Sequence, residues 1–403
     1  MAETAKPGLV CAMTTRPRWL VVGCLGTAQI LAWGMSFYLI AVLAQPIDLA
    51  TGWGLPWIVG GLSIAFLVSG AVSPRVGRLI DRFGGRPVLA GSAVLLAIGL
   101  TVIAAAPNVA VYVAGWCVLG VAMGAGLYDP AFATLGRIYG DNARSAITMT
   151  TLYGGFASTV CWPLSAVLVE HVGWRGACLT YAAIALLIVL PLYIFGLPRE
   201  TAMPPPAPNA ATATQLSLTA RQRQGFWLLA VNLTLASVLM TVVSVHMLTL
   251  LQARGIELAV AVALGALIGP AQVGARLIEA MIGRRFHPAW TMLASNMLAA
   301  AGLGLLFGDP SLAAAGLILY GTGSGIRSIA RGTLPLAMFG REGYPTLMGK
   351  LAMPTLLAQA AAPSIGAVLL DGAGADATLW VLAMAALVTI AASLPLLAFR
   401  RPA

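Results

Sequence analysis

The sequence predicts an all-α membrane protein: twelve transmembrane helices in two pseudo-symmetric six-helix bundles. Three observations carry that prediction. Of the 403 residues only 9% are charged and 59% are hydrophobic, with a mean hydropathy of +0.90. A soluble domain carries roughly 25% charged residues, so the main solvent here is lipid. The apolar runs reach about twenty residues or more, the length of a spanning helix, and lack the alternation of barrel strands. One long polar break near the chain midpoint divides the runs into two sets of six.

Span 1, residues 19–44, opens at Trp19 and is too long for the apolar core of a cleaved signal. Spans 2 and 3, at 55–76 and 88–106, flank a basic loop. Span 4, at 109–136, contains GLYDPAF at 126–132, an aspartate and a proline inside an apolar run. Spans 5 and 6, at 146–169 and 176–197, complete the first half. The break at 198–224, PRETAMPPPAPNAATATQLSLTARQRQ, has the composition of a flexible linker. Spans 7 to 12 follow at 225–251, 258–281, 290–307, 312–338, 347–370 and 377–398. The expected organisation is a segment 1–18, a bundle 19–197, a linker 198–224, a bundle 225–398 and a tail 399–403. Gly (45) and Pro (24) are abundant, which spanning helices tolerate.

Basic residues set the orientation. Lys6, Arg16, Arg18, Arg75, Arg78, Arg82, Arg86, Arg137, Arg144, Arg199, Arg221, Arg223, Arg284, Arg285, Arg341, Lys350, Arg400 and Arg401 fall on one side, and only Arg175 and Arg254 on the other. By the positive-inside rule, both termini and the linker are expected in the cytoplasm, and the protein in the cytoplasmic (inner) membrane. The net charge of +10 follows from this topology and from contact with anionic lipid, not from nucleic acid. The five cysteines form no CxxC pair and read as packing residues.

The halves repeat one another. PRVGRLIDRFGGR at 74–86 and PAQVGARLIEAMIGRR at 270–285 both run from proline and glycine through Arg-Leu-Ile-acid to glycine and arginine, which aligns Glu279 with Asp81. Gly140 and Pro163 are as far apart as Gly340 and Pro363. Two parallel repeats about an axis along the membrane normal are a transporter architecture.

The loop between spans 2 and 3 resembles the signature of the major facilitator superfamily, G-x-x-x-D-R-x-G-R-R/K. Gly77, Asp81, Arg82, Gly84 and Arg86 match it; Gly85 stands where a basic residue is usual. The resemblance implies that this loop is a conformational latch that does not touch substrate. Two motifs of drug and proton antiporters are missing: an arginine near Trp116, and a glycine-rich span 5 pattern of which only Pro163 remains. A weaker resemblance, carried by AQILAWGMSFY in span 1 and GPAQVGAR in span 8, points to bacterial relatives of monocarboxylate and oxalate-type porters. It implies that Arg276 meets a substrate carboxylate. Gln272 replaces the acid found one turn earlier in that group.

A charge inside the bilayer needs a partner or a role. Asp129 is the only carboxylate well inside a span, against Arg276, Arg327 and Arg331. Asp129 lies eleven residues before Gly140, while Arg331 and Arg327 lie nine and thirteen before Gly340. The repeat therefore sets Asp129 at a depth between the two arginines, across the pseudo-two-fold axis. Pro130 invites a kink, and Tyr128 adds a hydroxyl. The pair is either a static packing element or a gate. Low dielectric favours a protonated carboxyl and a nearby guanidinium the charged one, so separating such a pair would switch proton affinity. His246 is either a further titrating group or a packing histidine. The excess of embedded arginines favours an anionic substrate, unless Arg276 and Arg331 snorkel to the surface. Gln29, Trp33, Phe37, Tyr38, Asn232, Tyr153, Trp162, Tyr320 and Gln359 are candidate cavity residues; Gln29, Trp33 and Phe37 share one helix face.

No Walker loop, metal-ligand cluster or nucleophile–base set is evident. The expectation is a secondary-active transporter of a small organic anion such as a monocarboxylate. It should be coupled to protons, without cofactor or metal, and monomeric, since one chain holds a whole transport unit. Efflux of a drug or metalloid oxyanion is the rival within transport. A transporter-like sensor without flux is the rival outside it.

Overall fold

The computed structural model describes residues 16–199, 219–307 and 310–399. Most of the 1–18 segment, residues 200–218 of the linker and residues 400–403 of the tail, with Lys6, Cys11, Arg400 and Arg401, lie outside the described residues.

Twelve helical passes are seen among the described residues. In the first half these are α1 (Arg18–Gly34 and Leu39–Thr51), α2 (Leu55–Phe83), α3 (Gly85–Ala105), α4 (Val109–Gly126 and Tyr128–Tyr139), α5 (143–172) and α6 (174–196). In the second they are α7 (Ala220–Ala253), α8 (Leu258–Gly265 and Ile268–Ile282), α9 (Pro288–Leu305), α10 (Ala313–Phe339), α11 (344–373) and α12 (375–396). Seven helical stretches are long and apolar enough to cross a membrane by length and composition alone, and two of them hold more than one pass. Leu187, Val368 and Trp380 stand exposed on the perimeter, as expected where the neighbour is lipid.

The repeat is visible in the backbone. Gly173 separates α5 from α6 with φ 69°, and Gly374 separates α11 from α12 with φ 80°, values that only glycine adopts freely. A methyl on Gly115 of α4 would meet the Gly99 carbonyl of α3, and one on Gly316 of α10 would meet the Gly302 carbonyl of α9. Small residues let spanning helices approach this closely. The linker is shorter than its composition suggests, because α7 starts at Ala220 and not at 225. Thr219 and Gln222 form a capping box that satisfies the first backbone N–H groups.

The halves meet at the end that carries the basic loops. Leu336, Tyr344 and Met348 of α10 and α11 belong to the same apolar core as Ile80, Phe132 and Ile147 of the first half. A methyl on Gly77 of α2 would strike the Pro345 carbonyl of α11, and one on Gly136 of α4 the ring of Tyr344. This end is closed by backbone-close contact, and the cavity lies behind it.

Candidate functional site

Four helices are interrupted around one central cavity. α1 breaks at residues 35–38, α4 at Leu127, α5 at Phe156 and α8 at 266–267. Irregular backbone at membrane depth is tolerated where it is buried in protein or lines a cavity. The cavity has a volume of about 160 Å³. Trp33, Phe37, Tyr38, Tyr128, Asp129 and Pro130 line it from the first half, and Gln272, Arg276, Arg327, Arg331 and Gln359 from the second.

The break in α4 places the aspartate. Leu127 has extended backbone (φ −82°, ψ −157°), so the second piece of α4 starts at Tyr128 and Asp129 falls in its first turn. A carboxylate is favoured at a helix N-terminus. Pro130 fits there because the first N–H groups of a helix have no intrahelical acceptor. Across the cavity, Arg331 Nε donates to Asp129 Oδ1 at 2.9 Å and Nη2 to Oδ2 at 2.6 Å. Asp129 also borders a second cavity of about 10 Å³ on the closed side, next to Ser73, Gly77 and Gly349. That is room for about one water.

The other two arginines hold no carboxylate among the described residues. Arg276 donates through Nε to Ser328 Oγ at 3.1 Å and to the Gly325 carbonyl at 3.4 Å, through Nη2 to Gln272 Oε1 at 3.4 Å, and through Nη1 to the Thr151 carbonyl of α5 at 3.3 Å. It therefore ties α8 to α10 and reaches across to the first half. Arg327 is 8% exposed and donates once, to Ser324 Oγ at a long 3.5 Å. Arg276 does not snorkel but is buried and lines the cavity, as is Arg327, while Arg331, the other arginine weighed for snorkelling, lines it paired to Asp129.

The facing wall is aromatic. Trp33 lies 5.0 Å from Tyr128 and 5.6 Å from Phe37, centroid to centroid, and Tyr128 stacks on Phe132 at 5.1 Å. Tyr38 packs edge-on against Phe37 at 4.9 Å and against Trp162 at 5.9 Å. One side of the cavity is cationic and the other flat and apolar.

At the closed end the acids of the two repeats do matching work. Asp81 accepts from the backbone N–H of Thr346 at 2.9 Å and from its hydroxyl, at the start of α11. Glu279 accepts from Arg144 Nη2 at 2.9 Å, at the start of α5. Arg82 lies over the neighbouring Phe83 ring, 5.0 Å from its centroid, while Arg86 is half-buried and Gly84 turns the chain into α3. Gly85 departs from the family signature for a steric reason: any side chain there would collide with Thr134 of α4.

Six residues weighed for the cavity lie elsewhere. Gln29 is fully buried inside the first half, where Nε2 donates to the Gly126 carbonyl at 2.7 Å. Asn232 sits between α7, α9 and α12, donating to the Thr389 carbonyl at 2.7 Å and Ser393 Oγ at 2.8 Å, and accepting from Asn296 at 3.3 Å. His246 contacts the Pro363 carbonyl at 2.9 Å and packs on Gly366, as a packing histidine does. Tyr153 packs on Gly26 of α1. Helical spacing gives a polar residue's face, not whether that face meets the cavity or a neighbouring helix. Tyr320 is buried behind Arg327, and Trp162 supports Tyr38 from outside the cavity. The reading of the chain missed Ser324 and Ser328, which line the cavity one turn apart on α10 and bond the arginines. It also missed Arg144 as a cross-half partner; its place beside the repeated acidic motif was the available signal.

The profile of the Major Facilitator Superfamily matches residues 22–288. Human "Monocarboxylate transporter 11" is 28% identical over 329 residues, covering 77% of this chain and 68% of the human protein. Its mouse counterpart is 31% identical over 158 residues, 37% of this chain and 34% of that protein. An uncharacterized 38 kDa protein from Thermoproteus tenax is 35% identical over 151 residues, 38% of this chain and 39% of its own length. Among solved structures, FucP in the outward conformation superposes with a TM-score of 0.76 at 14% identity, covering 94% of this chain and 99% of that one. The human organic anion transporter MFSD10 gives a TM-score of 0.70 at 17% identity, covering 94% and 100%. These likenesses show the fold.

Proposed function

This chain belongs to the major facilitator superfamily, and from that premise we propose that it moves a small organic anion, such as a monocarboxylate, by alternating access between its two halves. The charge balance of the cavity carries this reading. Three guanidiniums line it against one carboxylate, and that carboxylate is held by Arg331. Among the described residues Arg276 and Arg327 face neutral acceptors only. In low dielectric an uncompensated guanidinium attracts an anion strongly, and a carboxylate matches its fork of donors. The aromatic wall opposite suits an apolar body attached to the anionic head. The human relative named for monocarboxylate transport supports the same substrate class.

The closed basic end, read with the positive-inside rule, supports an outward-facing state in the cytoplasmic membrane and cytoplasmic termini. Asp129 and Arg331 belong to opposite halves, so a rocking motion parts them. That gives protons a place to couple. One chain suffices as the transport unit. A cationic drug is disfavoured as substrate, since the lining carboxylate is already committed. An oxyanion exporter would use the same arginines, and a sensor would bind without flux. The test is flux of labelled monocarboxylates, oxyanions and lipophilic cations into proteoliposomes, with and without a pH gradient. Uptake of carboxylates driven by the gradient is the expected result. Movement of cations alone contradicts the proposal.

A further inference from the structure

The proline beside the cavity aspartate has a consequence on another helix. The break at Leu127 leaves the Gly126 carbonyl in the last turn of the first piece of α4, without an intrahelical donor, and Pro130 offers none from the second piece. Inside a membrane protein a carbonyl freed this way must find another donor in the protein. The structure supplies it from α1: Gln29 Nε2 donates to the Gly126 carbonyl at 2.7 Å. Gln29 is 0% exposed and lies outside the cavity lining. Among the described residues its Oε1 lies beyond hydrogen-bond distance of any donor, with the Tyr193 hydroxyl of α6 beside the amide. A half-used buried amide is costly, and an apolar residue is the ordinary filling for such a place. The neighbourhood is tight on the other side too, since a methyl on Gly126 would strike Ser92 of α3. The next residue, Leu127, carries the break, and Asp129 follows in the first turn beyond it.

We infer that Gln29 is a positioning residue for Asp129. It caps the carbonyl left free at the break before Pro130, holds that break in α4 and so sets the carboxylate in register with Arg331. The part concerning proton coupling rests on the function proposed above; the link between Gln29 and Pro130 does not.

A double-mutant cycle tests it. Gln29→Met keeps the volume and removes the donor, and Pro130→Ala restores a backbone N–H. All four proteins are purified at full length and reconstituted. Gln29→Met is expected to lower the melting temperature by a few degrees in the native background, and by roughly half as much or less beside Pro130→Ala. It is also expected to move the midpoint of the pH profile of transport, because the carboxylate no longer sits in register with Arg331. Equal losses in both backgrounds overturn the link to Pro130. A non-additive loss with an unmoved pH midpoint overturns the positioning of Asp129. If Gln29→Met alone does not fold, the double variant should; its failure to do so contradicts the proposal. If no anion is transported, the pH dependence of the melting temperature replaces that of flux, so the failure of the transport reading stays distinct from the failure of this one.

Discussion

Asp129 on α4 and Arg331 on α10 face each other across the two halves with both carboxylate oxygens engaged, at 2.9 and 2.6 Å. The arrangement is geometrically exacting: a small relative rotation of the halves weakens both bonds together. It also divides the labour among the cavity's cations, neutralising one arginine and leaving Arg276 and Arg327 for a ligand.

Asp129→Asn should therefore cost more than one hydrogen bond. It leaves Arg331 charged and unpaired in a site where it is 23% exposed, and a loss of about 1–3 kcal/mol is expected. Asp129→Asn combined with Arg331→Gln should recover most of the melting temperature. Neither variant should retain pH-dependent flux. Wild-type pH dependence in Asp129→Asn contradicts a coupling role.

Arg276→Gln should weaken anion binding by about tenfold or more, equivalent to about 1.4 kcal/mol. Arg276→Lys should not restore it. One ammonium cannot replace a planar fork that reaches Ser328, Gly325, Gln272 and Thr151 at once. Titration of ligand-induced stabilisation measures this.

The closed end should open when its close contacts are filled. Gly77→Ala sets a methyl against the Pro345 carbonyl, and Gly349→Ala sets one against the Ser73 carbonyl. In a cysteine-replaced background, a cysteine at Ser73 should react faster with an impermeant maleimide applied from the basic side in either variant. Unchanged reactivity contradicts the assignment of this end as the gate.

Asp81→Asn and Glu279→Gln should each raise the same reactivity, and together by more than either alone. The two acids hold different helix starts, at Thr346 and Arg144. Separated sites add.

The fold was legible because lipid imposes it: a chain this apolar has helices as its means of satisfying the backbone, and run lengths count them. The Asp129–Arg331 contact was legible to within one helical turn, because the repeat measured both residues from equivalent glycines. Gln29 and Asn232 were misplaced for one shared reason. Each is a buried amide that serves a neighbouring helix, and the sequence of its own helix carries no trace of the carbonyl it must reach. The departure at Gly85 was visible in the chain, whereas its cause, the side chain of Thr134, lies on a helix roughly fifty residues away.

Arg276 and Arg327 hold no carboxylate among the described residues, and the direct test of their role is a thermal-shift screen of the purified protein. Small monocarboxylates, oxyanions, lipophilic cations and neutral drugs are compared, each against the wild type and Arg327→Gln. A ligand that binds the folded state raises the melting temperature by mass action. Stabilisation by carboxylates that is largely lost in Arg327→Gln is expected. Stabilisation by cations or neutral drugs alone, unaffected by that substitution, would contradict it.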